Sequence, residues 1–114
     1  MFNLYIYYGG AYFDKPKQKY FVGSIELFEG VLAEKINMAA VRGFGYLLGC
    51  HADANYRYRI PTENGGLRLR QIDGEDDVID MVATGKQTGK VEVYVVHDFH
   101  IRSIDPGLKN SSPV

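Results

Sequence analysis

YRYRIPTENGGLRLRQIDGEDDVIDMVATGKQTGKVEVYVVH, residues 56–97, is the stretch that decides the fold. It reads as strand, turn, strand, short helix, strand. Asn55–Ile60 and Leu67–Ile72 are the first two strands. The segment from Pro61 to Gly66 between them carries Asn-Gly-Gly, residues that reach positive φ at little steric cost and so favour a tight turn. Asp73-Gly74 breaks the second strand. Acidic residues follow where the dipole of a helix N-terminus favours negative charge, which predicts a short helix from Glu75 or Asp76 to Ala83. Thr84–Gly89 reads as a loop. Lys90–Val96 is the last strand, with Val91, Val93 and Val95 inward and Glu92, Tyr94 and Val96 outward.

The N-terminal half supplies the rest of a sheet. Phe2, Leu4, Ile6 and Tyr8 alternate with Asn3, Tyr5 and Tyr7, the pattern of a half-buried strand. Gly9-Gly10 follows as a turn pair. A second strand is expected across Lys19–Phe28, with Phe21 or Val22, Ile25 and Leu27 as core candidates. These two strands form a hairpin with a loose excursion at DKPKQ, where Pro16 suits a loop or an edge. Asn37 to Leu48 is a helix: Asn37 caps it, and Met38, Val41, Phe44, Gly45 and Leu48 share an apolar face. Gly45 is read as permitting close approach to the sheet, a frayed last turn being the alternative. Gly49 is the stop. The order β-β-α-β-β-α-β describes an α+β chain of the ubiquitin-like β-grasp type. A mixed five-stranded sheet wraps over one main helix, its first and last strands parallel neighbours at the centre.

The chain of 114 residues is one domain large enough for a single core. Its formal net charge of −1 argues against a general nucleic-acid binder. One cysteine, Cys50, allows no internal disulfide and fits a reducing compartment, nuclear or cytosolic. No apolar run approaches a membrane span, and MFNLYIYYGG lacks signal-peptide features. Residues 1–97 form the domain, and 98–114, without periodicity, are read as a flexible tail or linker.

FNLYIYYGGAYF, KYFVGSIELFEGV, the YLLG helix end, YRYRIP, GLRLRQIDGEDDVIDM and VEVYVVH occur in that order over residues 2–97. As an ordered set they resemble the PB-one-like (Phox/Bem-type) domain found near the N-terminus of plant Mutator-like transposases and related transposon-derived proteins. The resemblance implies a β-grasp fold, a non-catalytic interaction module and a plant nuclear setting. Domains of the wider Phox/Bem class pair front to back, an acidic motif on one meeting a lysine of another, typically on the first strand. Here the first strand has no lysine. Only Glu63 lies in the turn where the first carboxylates of that motif would be, and Asp73 to Asp77 sit at the helix start.

Two charged features are the candidate sites. Asp73, Glu75, Asp76, Asp77 and Asp80 crowd carboxylates that need solvent or a basic partner, so with Glu63 they read as an acidic docking face. The alternative is a helix start that uses acids only for capping. Arg57 and Arg59 share one strand face, and Arg68 and Arg70 share a face of the next. If the turn pairs these strands, the four form a basic face suited to carboxylates on another protein or another copy. A solvated outer face is the alternative, and contact of this arginine-rich face with nucleic-acid phosphate is a second reading of function. Tyr5, Tyr7 and Tyr94 form a candidate aromatic patch, tyrosine being also simply favoured in strands. Cys50, His51, His97 and His100 lack zinc-ligand spacing and a third orienting group for catalysis. No enzyme, metal, cofactor or small-molecule substrate is therefore expected.

Overall fold

The computed structural model describes residues 1–13, 17–21, 23–50 and 53–96. The expected tail at 98–114 lies outside them, as do His51, His97, His100, Pro16 and Val22. The strands are β1 (Phe2–Tyr8), β2 (Ala11–Phe13), β3 (Lys19–Phe21), β4 (Ser24–Val31), β5 (Asn55–Arg59), β6 (Leu69–Gln71) and β7 (Lys90–Val96). Among the described residues two helices interrupt them, α1 (Met38–Leu47) and α2 (Glu75–Thr88), and a 3-10 turn at Ala33–Lys35 precedes α1.

Five strands form one mixed sheet in the order β4-β1-β7-β5-β6, and β2 and β3 pair as a separate hairpin. β1 and β7 run parallel at the centre, Leu4 beside Val91 and Ile6 beside Val93. The fold is α+β and compatible with the ubiquitin-like β-grasp. One face of the sheet carries the core. Phe2, Leu4 and Ile6 of β1, Val91, Val93 and Val95 of β7, and Tyr56 and Tyr58 of β5 cluster there with Val41 of α1 and with Val78 and Met81 of α2. The period-2 alternation of the strands is what sends these side chains to one side.

α1 starts where Asn37 Oδ1 accepts the backbone N–H of Ala40 at 2.8 Å, satisfying a donor left over by the helix start. Gly45 in its third turn is buried. A Cβ there would overlap the Tyr56 hydroxyl and lie 2.9 Å from Cζ of that ring. Close approach of α1 to β5 is thus why glycine stands here, whereas a Cβ on Gly43 would meet nothing within 4 Å. Gly43→Ala is expected to raise stability by about 0.5–1 kcal/mol through helix propensity. Gly45→Ala is expected to forfeit that gain and lower the thermal midpoint, since overpacking costs roughly 1–3 kcal/mol. Equal midpoints for the two variants in circular-dichroism melts would refute the close approach.

Two elements differ from the sequence reading. α2 continues to Thr88, through the expected loop at Thr84–Gly89. Gly85 is buried inside it, because a Cβ would lie 2.8 Å from Phe2 Cγ and 2.8 Å from Val91 Cγ2. The glycine that signalled a loop instead lets the helix lie against the two central strands. Gly89, at φ 86°, ends the helix.

The expected strand Lys19–Phe28 divides in two. Lys19–Phe21 pairs with Ala11–Phe13, and only from Ser24 does the chain join the sheet. The core candidates Phe21, Ile25 and Leu27 are exposed. The core-facing residues of β4 are instead Phe28, which packs on Phe44 with ring centroids 4.6 Å apart, and Val31. β4 sets three residue steps, Phe28 to Val31, against two of β1, Leu4 to Phe2. Gly30 at φ 63° absorbs the extra residue as a bulge. The bulge explains how positions 28 and 31, of opposite parity, both face inward.

Candidate functional site

The acidic residues gather at the start of α2, and most are already held from within. Asp77 Oδ2 accepts the backbone N–H of Asp73 at 2.9 Å, and Asp73 Oδ1 accepts from Gln71 Nε2 at 2.7 Å. The carboxylate of Glu75 accepts the backbone N–H of Met38 at 3.1 and 3.3 Å. It thereby places an acid from α2 at the positive end of α1. Arg70 lies 3.7 Å from Asp77 and 3.2 Å from Asp80. Both groups of the closer pair are half-exposed, so it contributes about 0–1 kcal/mol and serves mainly to orient the carboxylates. Asp76 is exposed, and its carboxylate has no ion pair or hydrogen bond among the described residues. Glu63 stands apart, on the β5–β6 turn.

The register does not bring the four arginines together. Arg57 pairs with Gln71, Tyr58 with Arg70, and Arg59 with Leu69. Arg57 and Arg59 therefore occupy the sheet face away from the helices, and Arg70 occupies the helix face. Arg68 precedes β6, its carbonyl accepting the Ile60 N–H at 2.9 Å.

Most of these cations are also engaged. The Arg57 guanidinium lies 4.8 Å from the Tyr12 ring centroid and donates to its hydroxyl at 3.3 Å. Arg59 donates to the Gly65 carbonyl at 2.7 Å and sits 3.7 Å from Glu92. Arg68 is exposed and, among the described residues, unpaired. With Lys17 and Glu63 it lines an open groove of about 590 Å³ between the β5–β6 turn and the segment entering β3.

The outer face of the sheet is roofed by the β2–β3 hairpin. Tyr20 meets Tyr94 edge-on at 5.2 Å, and its hydroxyl accepts the Gly10 N–H at 2.9 Å and donates to the Val95 carbonyl at 3.3 Å. Gln18 Oε1 accepts the Leu69 N–H at 2.8 Å. Under this roof Tyr94 is 5% exposed. It stacks on Tyr7 with centroids 4.3 Å apart and an interplanar angle of 5°. Tyr94 is thus no part of an exposed aromatic patch, and Tyr5 and Tyr7 stay half-buried beside the exposed Leu27 and Ile25 with which they pair.

Glu92 was not singled out by the sequence, yet it organises this face. It accepts from Tyr7 Oη at 2.9 Å and faces Arg59 and Lys90. Its outward position in VEVYVV was the available signal. Burial, then the Glu92 carboxylate, pushes the Tyr7 phenol well above its ordinary pKa. Burial likewise raises Tyr94, Tyr20 and the Cys50 thiol.

Among the described residues no group of three or more His, Cys, Asp or Glu could hold a metal ion. No helix among them is long and apolar enough to cross a membrane. A family model described as the PB1-like domain matches residues 1–97. No curated protein matches the chain.

Proposed function

The chain belongs to the PB1-like domain family, and on that premise we propose that it is a non-catalytic module that docks on protein partners, a second copy included, through opposite charges. The observation that carries this reading is an acidic α2 start held in place by internal hydrogen bonds, with Asp76 left exposed and unpaired. Carboxylates fixed in advance lose little freedom on binding. Arg68, beside Lys17, is the complementary cation, in place of the first-strand lysine that the chain does not have. Arg57, Arg59 and Arg70 are poorer candidates because Tyr12, Glu92, Asp77 and Asp80 already face them. The same division between faces removes the continuous arginine stripe on which nucleic-acid contact would rest.

Arg68→Glu and Asp76→Lys are each expected to weaken self-association about tenfold or more, as loss of a close charge pair does. An equimolar mixture of the two variants is expected to recover it, because each retains the face the other needs. Light scattering at low and high salt reads this directly. A wild type that remains monomeric at low salt and high concentration would remove self-association from the proposal. A mixture no stronger than its components would remove the assigned pair. The resemblance to transposase-associated domains supports a plant nuclear setting as part of the same proposal. A fluorescent fusion that stays out of plant nuclei would count against it.

A further inference from the structure

We propose that the free edge of β4 is a second docking surface, which adds an extended, basic strand of a partner protein to the sheet. β4 is an outer strand of eight residues, Ser24–Val31, and almost all of it is exposed. The opposite edge, β6, has three residues. A long edge presents unpaired backbone N–H and C=O groups, which another strand can satisfy. Ile25 and Leu27 are 57% and 40% exposed. They pair with Tyr7 and Tyr5, so an added strand would find an apolar strip on the outer face.

Charge selects the occupant. Glu26 and Glu29 are exposed, the strand carries no lysine or arginine, and neither acid makes an ion pair among the described residues. A second copy would bring two more glutamates and no cation to this edge, and a pairing centred on Glu26 would set it against its own copy. Like charges directly opposite destabilise a strand pair. Glu26 pairs with Ile6 on the helix side of the sheet, and Ile25 and Leu27 pair with Tyr7 and Tyr5 on the other. A strand alternating lysine or arginine with β-branched residues thus sets cations beside Glu26 and apolar side chains beside Ile25 and Leu27. This surface is independent of Asp76 and Arg68, so either docking mode can fail alone.

The test uses the full chain and a labelled eight-residue peptide of alternating lysine and valine. Fluorescence anisotropy gives the affinity, and amide chemical shifts give the site. Saturable binding is expected, with shifts centred on residues 24–29. The double variant Glu26→Lys, Glu29→Lys is expected to bind the peptide about tenfold or more weakly. It should instead bind a peptide with glutamate in place of lysine. Asp76→Lys should leave the affinity unchanged. Absence of binding at low salt, shifts centred on the start of α2, an unaltered affinity in the double variant, or a dimer paired through β4 would each overturn the proposal. Circular dichroism confirms that the double variant is folded. Should it not be, Ile25→Ser with Leu27→Ser on the same exposed strip replaces it, and an unaltered affinity there counts equally against the proposal.

Discussion

Tyr58→Ala is expected to remove about 3–5 kcal/mol, the cost of emptying an aromatic site in a closed core. Tyr58 is 2% exposed and among the largest fully buried side chains. It stands on β5 between Val93 and Arg70, with the core around its ring and Arg70 at its hydroxyl. A domain of this kind has roughly 5–15 kcal/mol in total, so the alanine variant should approach the limit of folding. Tyr58→Phe keeps the ring and loses only the hydroxyl contact, at about 1 kcal/mol. Urea unfolding near neutral pH separates the two. A loss under about 1 kcal/mol in the alanine variant would mean that β5 and α2 do not close over this ring. The phenylalanine variant should leave the Arg70 pairs with Asp77 and Asp80, and hence docking, unchanged.

Alkaline pH is expected to unfold the protein steeply. Burial raises the phenols of Tyr7, Tyr20, Tyr56, Tyr58 and Tyr94 and the thiol of Cys50 above their ordinary values. For Tyr7 the neighbouring Glu92 carboxylate adds to the effect. Each folded pKa lies above the unfolded one, so the folded chain holds protons that the unfolded chain releases. The associated stability is fully present below the ordinary pKa and is lost as pH rises towards the folded value. For phenols the window opens near pH ~10.

Above it, each phenol kept protonated lowers stability by up to about 1.4 kcal/mol per pH unit. The half-buried Tyr7 and Tyr20 contribute less than that ceiling because solvent screens them. Several such groups together give a sharp transition, and the sequence has no tryptophan to obscure the phenolate absorbance. That absorbance and the loss of far-ultraviolet circular dichroism are expected to rise together. Gradual ionisation of all the tyrosines with the circular dichroism intact would contradict the enclosed outer-face cluster. Tyr20→Phe, which opens the link between hairpin and sheet, should move the transition to lower pH.

The contrast between β7 and β4 shows what was legible. Val91, Val93 and Val95 alternate with polar or aromatic neighbours, and β7 is central, so one face had to be core. Its parallel pairing with β1 followed from the β-grasp order of the elements, which the apolar content of both strands fits. Asn37 and Gly49 marked α1 because capping and positive φ are local demands met by local residue types. β4 was misread since Ile25 and Leu27 also alternate. An edge strand can expose apolar side chains that a central strand cannot, and the bulge at Gly30 shifted the parity.

The charged sites divide along the same line. That acids would crowd the start of a helix was plain from residues 73–80, because helix dipoles and capping act over a single turn. Which acids remain free was not. Glu75 is taken by the N–H of Met38, and Asp77 and Asp80 by Arg70, through contacts set by how α1, α2 and β6 pack. The arginines were visible as alternating residues on two strands. Only the observed register sends Arg70 to one side of the sheet and Arg57 and Arg59 to the other. Shifting a strand by one residue exchanges its faces, and nothing within Tyr56–Gln71 fixes that choice. The sequence by itself determined the elements, their order and the charge inventory, since these follow from short-range preferences. The tertiary structure decided which face each charge occupies and which charges are left for a partner, since those depend on register and on contacts between residues far apart in the chain.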